Sequence, residues 1–474
     1  MSVTEQQIHK VHFIGIGGVG MSGIAQVAHE QGMDVSGSDL RESRYTKQLR
    51  DAGVRVYIGQ SANHIIEENL DVVVVSTAIL PENPELKEAK ARGIDIWHRA
   101  KMLAELGRGR RTLAVAGTHG KTTTSSMLAS VIDEMGMDPT FLIGGIVRAY
   151  HSNAHCGKGD YYVVEADESD KSFTYLDPES VLVTNIEADH LDHYADLNEI
   201  YKLFGDFMSS VHEDGYAVVC GEDKALTKVA RSTGDRVLTY GFDAECDTVV
   251  SNYEVHGVST SFSVTLPNGK VLSCSLKQNP GRHNALNAAG VLTLLMTQGF
   301  DMDKAAEALS RFSGVRRRFD LVGEVNGITI LDDYAHHPTE IAATIAAAKS
   351  LDFKRVCIVF QPHRYSRIKL FTDVLRHEFA HAFDQADMVV FMDVYSAGET
   401  PVPGVTGASF MEPVAQNPDH PHDLIYIERR MDVVPYLVKH LNPGDLIITM
   451  GAGDVTGIGP ALLAALREQG EGRA

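Results

Sequence analysis

The sequence predicts an α/β protein with three domains in series, each containing a mostly parallel sheet. The chain has 474 residues, and at roughly 100–200 residues per domain this length suggests two to four domains. Short, continuous apolar runs alternate with helical patterns along the chain, and such runs are typical of strands buried on both faces of a parallel sheet. A middle region of short alternating segments predicts an additional small antiparallel sheet.

The first predicted domain covers residues 1–107 and ends at the basic, glycine-rich stretch 107–111, which is typical of a linker. Its strands are predicted at 11–16 and 72–76, and its helices at 21–31 and 82–92. The second domain covers 108–314. Its strands are predicted at 112–116, 161–165, 181–185 and 217–220, and its helices from Lys121 and over 284–297. Between the strand at 217–220 and the helix at 284–297, the region 237–276 is predicted to form the antiparallel strands.

The third domain, residues 315–474, repeats the alternation of strands and helices, so it is also predicted to contain a parallel sheet. Its strands are predicted at 328–331, 356–360, 388–392 and 446–450.

Composition excludes several classes of protein. The 63 acidic and 43 basic residues give a formal net charge of −20, which argues against a general nucleic-acid binder, because such proteins need a basic face. No apolar run reaches the roughly 20 residues of a membrane-spanning helix, and the N-terminus lacks the pattern of a signal peptide. Five scattered cysteines without a CxxC pair fit a reducing compartment. These features predict a cytoplasmic enzyme with no nucleic-acid or membrane partner.

A GxGxxG motif follows the first predicted strand and precedes a helix. It contains Gly15, Gly17, Gly18 and Gly20, and an acidic residue, Asp39, follows 19 positions after the last glycine. Glycines let the backbone approach a pyrophosphate closely, and a helix N-terminus favours negative charge. The motif predicts a site for a dinucleotide, as in a dehydrogenase, or for another diphosphate such as a UDP-sugar. A tight turn without a ligand is the structural alternative.

A second motif, AGTHGKTTT at 116–124, lies between a predicted strand and a helix. Its backbone amides are typical of a loop that holds phosphate oxygens, Lys121 would neutralise the terminal phosphates, and Thr122 is a candidate Mg²⁺ ligand. The spacing departs from GxxxxGK[ST], because Val115 stands where the first glycine is expected. The residues predicted to bind the nucleotide are Gly117, Thr118, His119, Gly120, Lys121, Thr122 and Thr123.

Two acidic strings stand where predicted strands end: EADESD at 165–170 and NIEADHLDH at 185–193. Ligands of an open parallel sheet bind at this carboxyl edge. Carboxylates there are suited to the metal of a metal–nucleotide complex, whereas the imidazole of His190 is a softer ligand than Mg²⁺ prefers, and this chemistry does not assign it. A solvated acidic loop is the alternative.

Four shorter strings carry further polar residues: GRHNALN at 281–287, RRRF at 316–319, DDYAHHPTE at 332–340 and QPHRYSR at 361–367. Three adjacent arginines in an acidic protein with a nucleotide loop favour phosphate binding over a solvated face. The adjacent histidines are an unfavourable pair for one metal, because neighbouring residues of a strand point to opposite faces.

Taken together, these strings resemble the Mur ligase family over residues 10–460. The phosphate loop and the NxxxDHxD string are shared across these ligases, whereas GGVGMSG and DDYAHHPTE are signals of one subfamily. The resemblance implies an N-terminal Rossmann-like domain that holds the UDP of the substrate, a central P-loop ATPase domain and a C-terminal Rossmann-like domain. It also implies the reaction. ATP phosphorylates the lactoyl carboxylate of UDP-N-acetylmuramate, and the amine of L-alanine then displaces the phosphate, a step of peptidoglycan precursor synthesis.

The resemblance also assigns roles to individual residues. The catalytic role falls to Lys121, Glu165 and His190, and the positions associated with Mg²⁺ are Thr122, Glu165 and His190. Besides the phosphate loop, the positions implied to bind ATP are Asn284, Arg318 and Asp333. The UDP-sugar region contains Gly15, Gly17, Gly18, Gly20 and Asp39. Contacts to substrate carboxylate or phosphoryl oxygens are suggested for His337, His363, Arg364 and Arg367. Several related ligases use a carbamylated lysine, but no motif supports Lys202 in that role.

Three alternatives remain open from the sequence. A dehydrogenase explains residues 11–39 and nothing after 110. A non-enzymatic P-loop regulator explains 112–124 but not the first glycine turn. A sister ligase that attaches a recycled murein tripeptide to the same UDP-sugar is disfavoured, because GGVGMSG is the L-alanine-adding form of the turn. A monomer or weak homodimer is expected.

Overall fold

A computed structural model describes residues 8–66, 69–168, 172–187 and 196–471. The chain divides into two compact units. The first consists of the residues up to Ser251 together with 263–274 and 286–312, and the second consists of 252–262, 275–285 and the residues from Ser313 onward.

The first unit begins with a five-stranded parallel sheet. The strands are Lys10–Ile14 (β1), Asp34–Asp39 (β2), Arg55–Ile58 (β3), Val72–Val75 (β4) and Asp95–His98 (β5). The helices are Val19–Glu30 (α1), Arg44–Asp51 (α2), Asn63–Ile66 (α3), Pro84–Ala91 (α4) and Arg99–Leu106 (α5). The strand order is β3-β2-β1-β4-β5, and every pairing is parallel. The order reverses between β1 and β4, and ligands of open α/β sheets bind at such a switch point.

A ten-stranded sheet follows. Its strands are Arg111–Ala116 (β6), Thr140–Val147 (β7), Ser152–His155 (β8), Tyr161–Glu165 (β9), Ser180–Val183 (β10), Ala217–Cys220 (β11), Val237–Gly241 (β12), Thr248–His256 (β13), Ser259–Thr265 (β14) and Val271–Leu276 (β15). The helices of this part of the chain are Lys121–Glu134 (α6), Leu197–Ser209 (α7), Lys224–Arg231 (α8), Arg282–Thr297 (α9) and Met302–Leu309 (α10). The order is β15-β14-β13-β12-β11-β10-β6-β9-β7-β8.

The region 237–276, which was predicted to form antiparallel strands, is only partly antiparallel. β12 pairs in parallel with β11 and extends the main sheet, so the expectation for its residues, Val237–Gly241, is wrong. β13 and β14 are neighbours joined only by residues 257 and 258, and such a short connection permits only antiparallel pairing. The antiparallel pairing of this region therefore begins between β13 and β14, and these strands belong to the same ten-stranded sheet.

The third sheet belongs to the second unit. Its strands are Asp320–Val325 (β16), Ile328–Asp333 (β17), Arg355–Phe360 (β18), Met388–Met392 (β19), Asp423–Ile427 (β20) and Asp445–Met450 (β21). Its helices are Pro338–Lys349 (α11), Arg376–His381 (α12), Gly407–Ala415 (α13), Arg430–His440 (α14) and Ile458–Glu471 (α15). The order is β16-β17-β21-β18-β19-β20, and only the edge strand β16 is antiparallel to its neighbour.

The apolar runs that predicted strands lie at the centres of these sheets. Every residue of β10, β19 and β21 is buried, as expected for parallel strands covered by helices on both faces. The prediction of three α/β domains is therefore confirmed. Across the described part of the chain, no helix is long and apolar enough to cross a bilayer.

The stretch 107–111, between α5 and β6, is anchored by contacts with the second sheet. Gly107 ends α5 against the ring of Tyr162, and a Cβ atom on this glycine would lie only 2.4 Å from the Cδ1 atom of that ring. The hydroxyl of Tyr162 donates to the carbonyl of Leu103 at 2.9 Å. Arg110 donates to the carbonyls of Gly157 and Gly159. The stretch connects α5 of the first sheet to β6 of the second, as expected of a linker, and these contacts hold it in place.

Helix α1 makes a second contact between these two parts of the first unit. Asn153, in β8, donates from its side-chain amide to the carbonyl of Val19 at 3.2 Å. A Cβ atom on Gly23 would lie 3.1 Å from that amide and 3.2 Å from the Cβ of Ala154. The small residue at position 23 therefore lets the helix approach the edge of the second sheet closely.

Candidate active site

The first glycine motif forms a tight turn between β1 and α1. Gly15 has a φ of +80°, and the N–H groups of Gly15 and Ile16 donate to the carbonyl of Ser38 at 2.8 and 2.9 Å. Gly18 is the N-cap of α1. The first N–H groups of a helix have no partner within the helix, so this turn is suited to an anion such as a diphosphate.

Asp39, the acidic residue predicted to belong to the UDP-sugar region, lies beside this turn. Its Oδ2 atom accepts the N–H of Gly17 at 2.9 Å, so the carboxylate holds the turn in place. A Cβ atom on Gly17 would lie 2.9 Å from that oxygen and 2.8 Å from the Cγ2 of Thr46. The position therefore requires glycine for close packing.

The second glycine motif connects β6 to α6. Gly117 has a φ of +130°, and a Cβ atom there would lie 2.2 Å from the Oγ1 of Thr184, so only glycine fits. Asn185 fixes the loop from the neighbouring strand end. Its carbonyl accepts from Thr118 N at 3.0 Å, and its side-chain oxygen accepts from His119 N at 2.8 Å. The loop is thus held in shape by residues of the second acidic string.

Lys121, the first residue of α6, is held by an acidic residue. Its Nζ atom donates to both carboxylate oxygens of Glu168, at 3.0 and 2.8 Å, and to the carbonyls of Gly117 and Thr118. The Lys121 side chain is 12% exposed and that of Glu168 is 4% exposed. The lysine therefore lies within the loop and is mostly buried.

Thr122 and Glu165 form a second polar contact at the same place. The Thr122 hydroxyl donates to Oε1 of Glu165 at 3.0 Å, and the N–H of Gly144 donates to Oε2 at 2.7 Å. The predicted strand ends β6 and β9 are neighbours in the sheet, which is why these two residues meet. A hydroxyl and a carboxylate are the hard oxygen donors that Mg²⁺ prefers, so these residues fit that ion.

The charges of this cluster depend on one another. Burial raises the pKa of Glu165, and it raises the pKa of Glu168 despite the nearby lysine. Burial alone would lower the pKa of Lys121, but the carboxylates of Glu168 and Asp167 outweigh it and raise the pKa above its ordinary value. The lysine therefore stays protonated, as a phosphate ligand must.

His190 was predicted as a catalytic and metal-binding residue, and it lies outside the described residues. The rest of the motif that surrounds it, residues 188–195, is likewise outside them. Its role stays a prediction.

Asn284, Arg318 and Asp333, predicted to contact ATP, belong to the second unit. Asp333 accepts N–H groups of Phe319 and Ala335 at 2.7 and 2.8 Å, and burial raises its pKa to about 6. Arg318 lies 3.4 Å from Glu340. The side-chain amide of Asn284 donates to the carbonyls of Asn279 and Pro280, which precede α9. Their nucleotide contacts stay predictions.

The residues predicted to contact the substrate also belong to the second unit. His337 is the N-cap of α11 and is 2% exposed. The ring of His363 stacks on Tyr395, and burial together with the charges of Arg367 and Arg364 lowers its pKa to about 4. His363 is therefore neutral at pH 7. The backbone N–H of Arg364 donates to the Tyr395 carbonyl at 2.8 Å.

Three residues at these sites were not predicted to have a role. Glu168 holds Lys121, Asn185 holds the phosphate loop, and Asn287 lies beside that loop, because a Cβ atom on Gly120 would be 3.2 Å from its Oδ1. All three lie within the motif strings EADESD, NIEADHLDH and GRHNALN. Their roles depend on which strand ends are adjacent, which the strings alone do not indicate.

Family models match nearly all of the chain. The model described as "Mur ligase family, catalytic domain" matches residues 10–111, the "Mur ligase middle domain" matches 115–295, and the "Mur ligase, glutamate ligase domain" matches 317–453.

Individual relatives agree over the full length. The chain is 44% identical to a UDP-N-acetylmuramate–L-alanine ligase of Thermobifida fusca, with 98% of each chain covered, and 45% identical to one of Pelotomaculum thermopropionicum, with 97% and 98% covered. The crystal structure of a UDP-N-acetylmuramate–alanine ligase from Thermotoga maritima superposes with a TM-score of 0.79 at 28% identity, covering 97% and 99%. The structure of a murein peptide ligase from Psychrobacter arcticus superposes with a TM-score of 0.69 at 26% identity, and the match covers 97% of this chain and 98% of that one. With this agreement and the two glycine turns, the chain belongs to the Mur ligase family.

Proposed function

We propose that the protein is an ATP-dependent ligase that joins L-alanine to UDP-N-acetylmuramate through an acyl phosphate, in peptidoglycan precursor synthesis. The observation that carries this proposal is the phosphate loop, with Lys121 and the Thr122–Glu165 pair at adjacent strand ends. Its substrates are supported by the relatives that bear this activity in their names at 44–45% identity over nearly the full chain.

The work is divided between domains in this proposal. Residues 1–107 hold the UDP-sugar at the first glycine turn, residues 108–314 hold ATP, and residues 315–474 form the C-terminal α/β domain. Two separate glycine turns, each after a parallel strand of a different sheet and at that sheet's carboxyl edge, support the division. The protein acts in the cytoplasm, where ATP is available, as a monomer or weak homodimer.

The proposed chemistry explains why a phosphate loop is needed. A carboxylate is a poor electrophile, so it needs a leaving group before an amine can attack. Making that group is a phosphoryl transfer, which depends mainly on positioning and charge neutralisation. Lys121 supplies one positive charge to the phosphates. Mg²⁺, held by Thr122 and Glu165 and, by the family resemblance, His190, supplies further neutralisation when bound.

The choice of amino acid tests the function. We expect phosphate release from ATP to require both UDP-N-acetylmuramate and an amino acid, and to be fastest with L-alanine. A panel of L-alanine, glycine, L-serine and L-alanyl-γ-D-glutamyl-meso-diaminopimelate distinguishes the two ligases, since the tripeptide is the substrate of the sister enzyme. Turnover with the tripeptide and none with L-alanine would contradict the proposal.

Oxygen transfer tests the acyl phosphate. If the carboxylate attacks the γ-phosphorus, one carboxylate oxygen becomes bonded to phosphorus and leaves with it when the amine attacks. UDP-N-acetylmuramate labelled with ¹⁸O in its lactoyl carboxylate should therefore give inorganic phosphate with one labelled oxygen for each amide formed, as measured by mass spectrometry. Unlabelled phosphate accumulating together with amide would exclude this mechanism.

A further inference from the structure

Arg99 lies beside the first glycine turn. It is the first residue of α5 and follows directly after β5, so it stands at the carboxyl edge of the first sheet, as the turn after β1 does. A Cβ atom on Gly20, in the first turn of α1, would lie 3.1 Å from Nη1 of Arg99. The guanidinium is therefore next to the helix N-terminus that is suited to a diphosphate.

The second terminal nitrogen of the guanidinium, Nη2, lies near Asp167, which belongs to the acidic string after β9. Nη2 of Arg99 lies 3.7 Å from Oδ2 of Asp167, and the two side chains are 25% and 38% exposed. This ion pair is longer than a hydrogen bond and partly solvated, so it contributes little to stability. By contrast, the next residue, Glu168, holds Lys121 at 2.8 Å with both side chains almost buried. The Arg99–Asp167 pair is thus longer and more exposed than the Lys121–Glu168 pair.

We propose that Arg99 binds the diphosphate of the sugar nucleotide, and that Asp167 holds its guanidinium until the substrate arrives. The proposal rests on the proposed function, because it assumes that the first glycine turn receives a UDP-sugar. A guanidinium has five N–H donors in a planar fork, which suits two phosphate oxygens. The protein carries a net charge of −20, and Asp39 lies at the same turn, so a dianionic group needs a cation there.

Binding without turnover isolates this contact. The full-length protein is titrated by calorimetry with UDP-N-acetylmuramate and, separately, with UDP, in the absence of ATP and Mg²⁺. Arg99→Gln should weaken the binding of both by about 10- to 100-fold, the range for a charged hydrogen bond. Arg99→Lys should fall between wild type and Arg99→Gln, because it keeps the charge but loses the fork. Asp167→Asn should bind about fivefold tighter, because a negative charge beside the diphosphate is removed.

Arg55→Gln is the matched control. Arg55 begins β3, at the amino edge of the same sheet, and it also forms an ion pair with an aspartate, Asp34, at 2.9 Å. Its variant should bind both ligands within twofold of wild type. Each variant's thermal midpoint shows whether it is folded.

Two results would overturn the assignment of Arg99. One is Arg99→Gln binding UDP-N-acetylmuramate within twofold of an active wild type. The other is a loss of affinity in Asp167→Asn as large as that in Arg99→Gln. Such a result would mean that binding requires the intact Arg99–Asp167 ion pair and not a guanidinium released from it. A wild type that neither binds nor turns over the UDP-sugar would overturn the proposed function, and with it this proposal.

Discussion

Replacing Lys121 with methionine is expected to lower kcat by at least about 100-fold, since one charge-assisted contact to a transferring phosphate is worth roughly 3 kcal/mol in the transition state. The structure adds a second effect. Removing the lysine leaves the carboxylate of Glu168 buried without its cation, and breaking a buried pair in this way typically costs about 3–5 kcal/mol of stability. We therefore expect the variant to be inactive and also to melt at a lower temperature.

The double variant Lys121→Met with Glu168→Gln separates the two effects. The glutamine carries no charge, so the melting temperature should return toward that of wild type, while kcat stays low because no cation faces the phosphates. Lys228→Met, at an exposed position of α8 in the same domain, is the control and should change neither quantity. A double variant with kcat within a few-fold of wild type would show that Lys121 does not act on ATP.

Gly17→Val is expected to raise the KM for UDP-N-acetylmuramate by at least about tenfold and to leave the affinity for ATP near normal. The new side chain would meet the carboxylate of Asp39 and the methyl group of Thr46 at less than 3 Å, so the turn must shift, and overpacking of this kind costs about 1–3 kcal/mol. Steady-state kinetics for the UDP-sugar and calorimetry with ATP measure the two effects separately.

Gly18→Ala provides the comparison for this variant. A Cβ atom on Gly18 would lie 3.5 Å from its nearest neighbour, the Gly15 carbonyl, which is an ordinary contact. Its effect on the KM should be smaller than that of Gly17→Val. If Gly17→Val weakened ATP binding as much as it weakened UDP-sugar binding, the division of labour between the two turns would be wrong.

The sequence predicts the buried apolar strands well and the polar ones poorly. The second strand, β2, was not predicted, because its sequence DVSGSD has no apolar run. Ser36 and Ser38 are nevertheless buried. Their hydroxyl groups are satisfied there, because Ser38 donates to Glu85 and Ser36 forms a hydrogen bond with His12, and both partners are buried side chains. A strand whose buried side chains are polar and hydrogen-bonded lacks the hydrophobic pattern on which such predictions depend.

The candidate site was predicted in the same uneven way. The phosphate loop was recognisable because all its residues are consecutive, and its predicted position after a strand is confirmed. The Lys121–Glu168 pair was not predicted, because it joins the loop to a residue beyond β9 and forms only because β6 and β9 are adjacent. Motifs thus indicate which chemistry is present, whereas the sheet order decides which groups meet.

The close packing of Gly107 on Tyr162 and of Gly23 on β8 has a consequence for chimeras. Exchanging the N-terminal domain between relatives transplants one side of each contact and leaves the other side behind. Contacting residues do not contribute additively to stability, so a larger residue arriving at position 23 needs compensating changes in the residues of β8 that face it, Asn153 and Ala154. A swap made at residue 111 should therefore carry the facing residues of β8 and β9 with it, and these define the practical boundary for recombining substrate specificity in this chain.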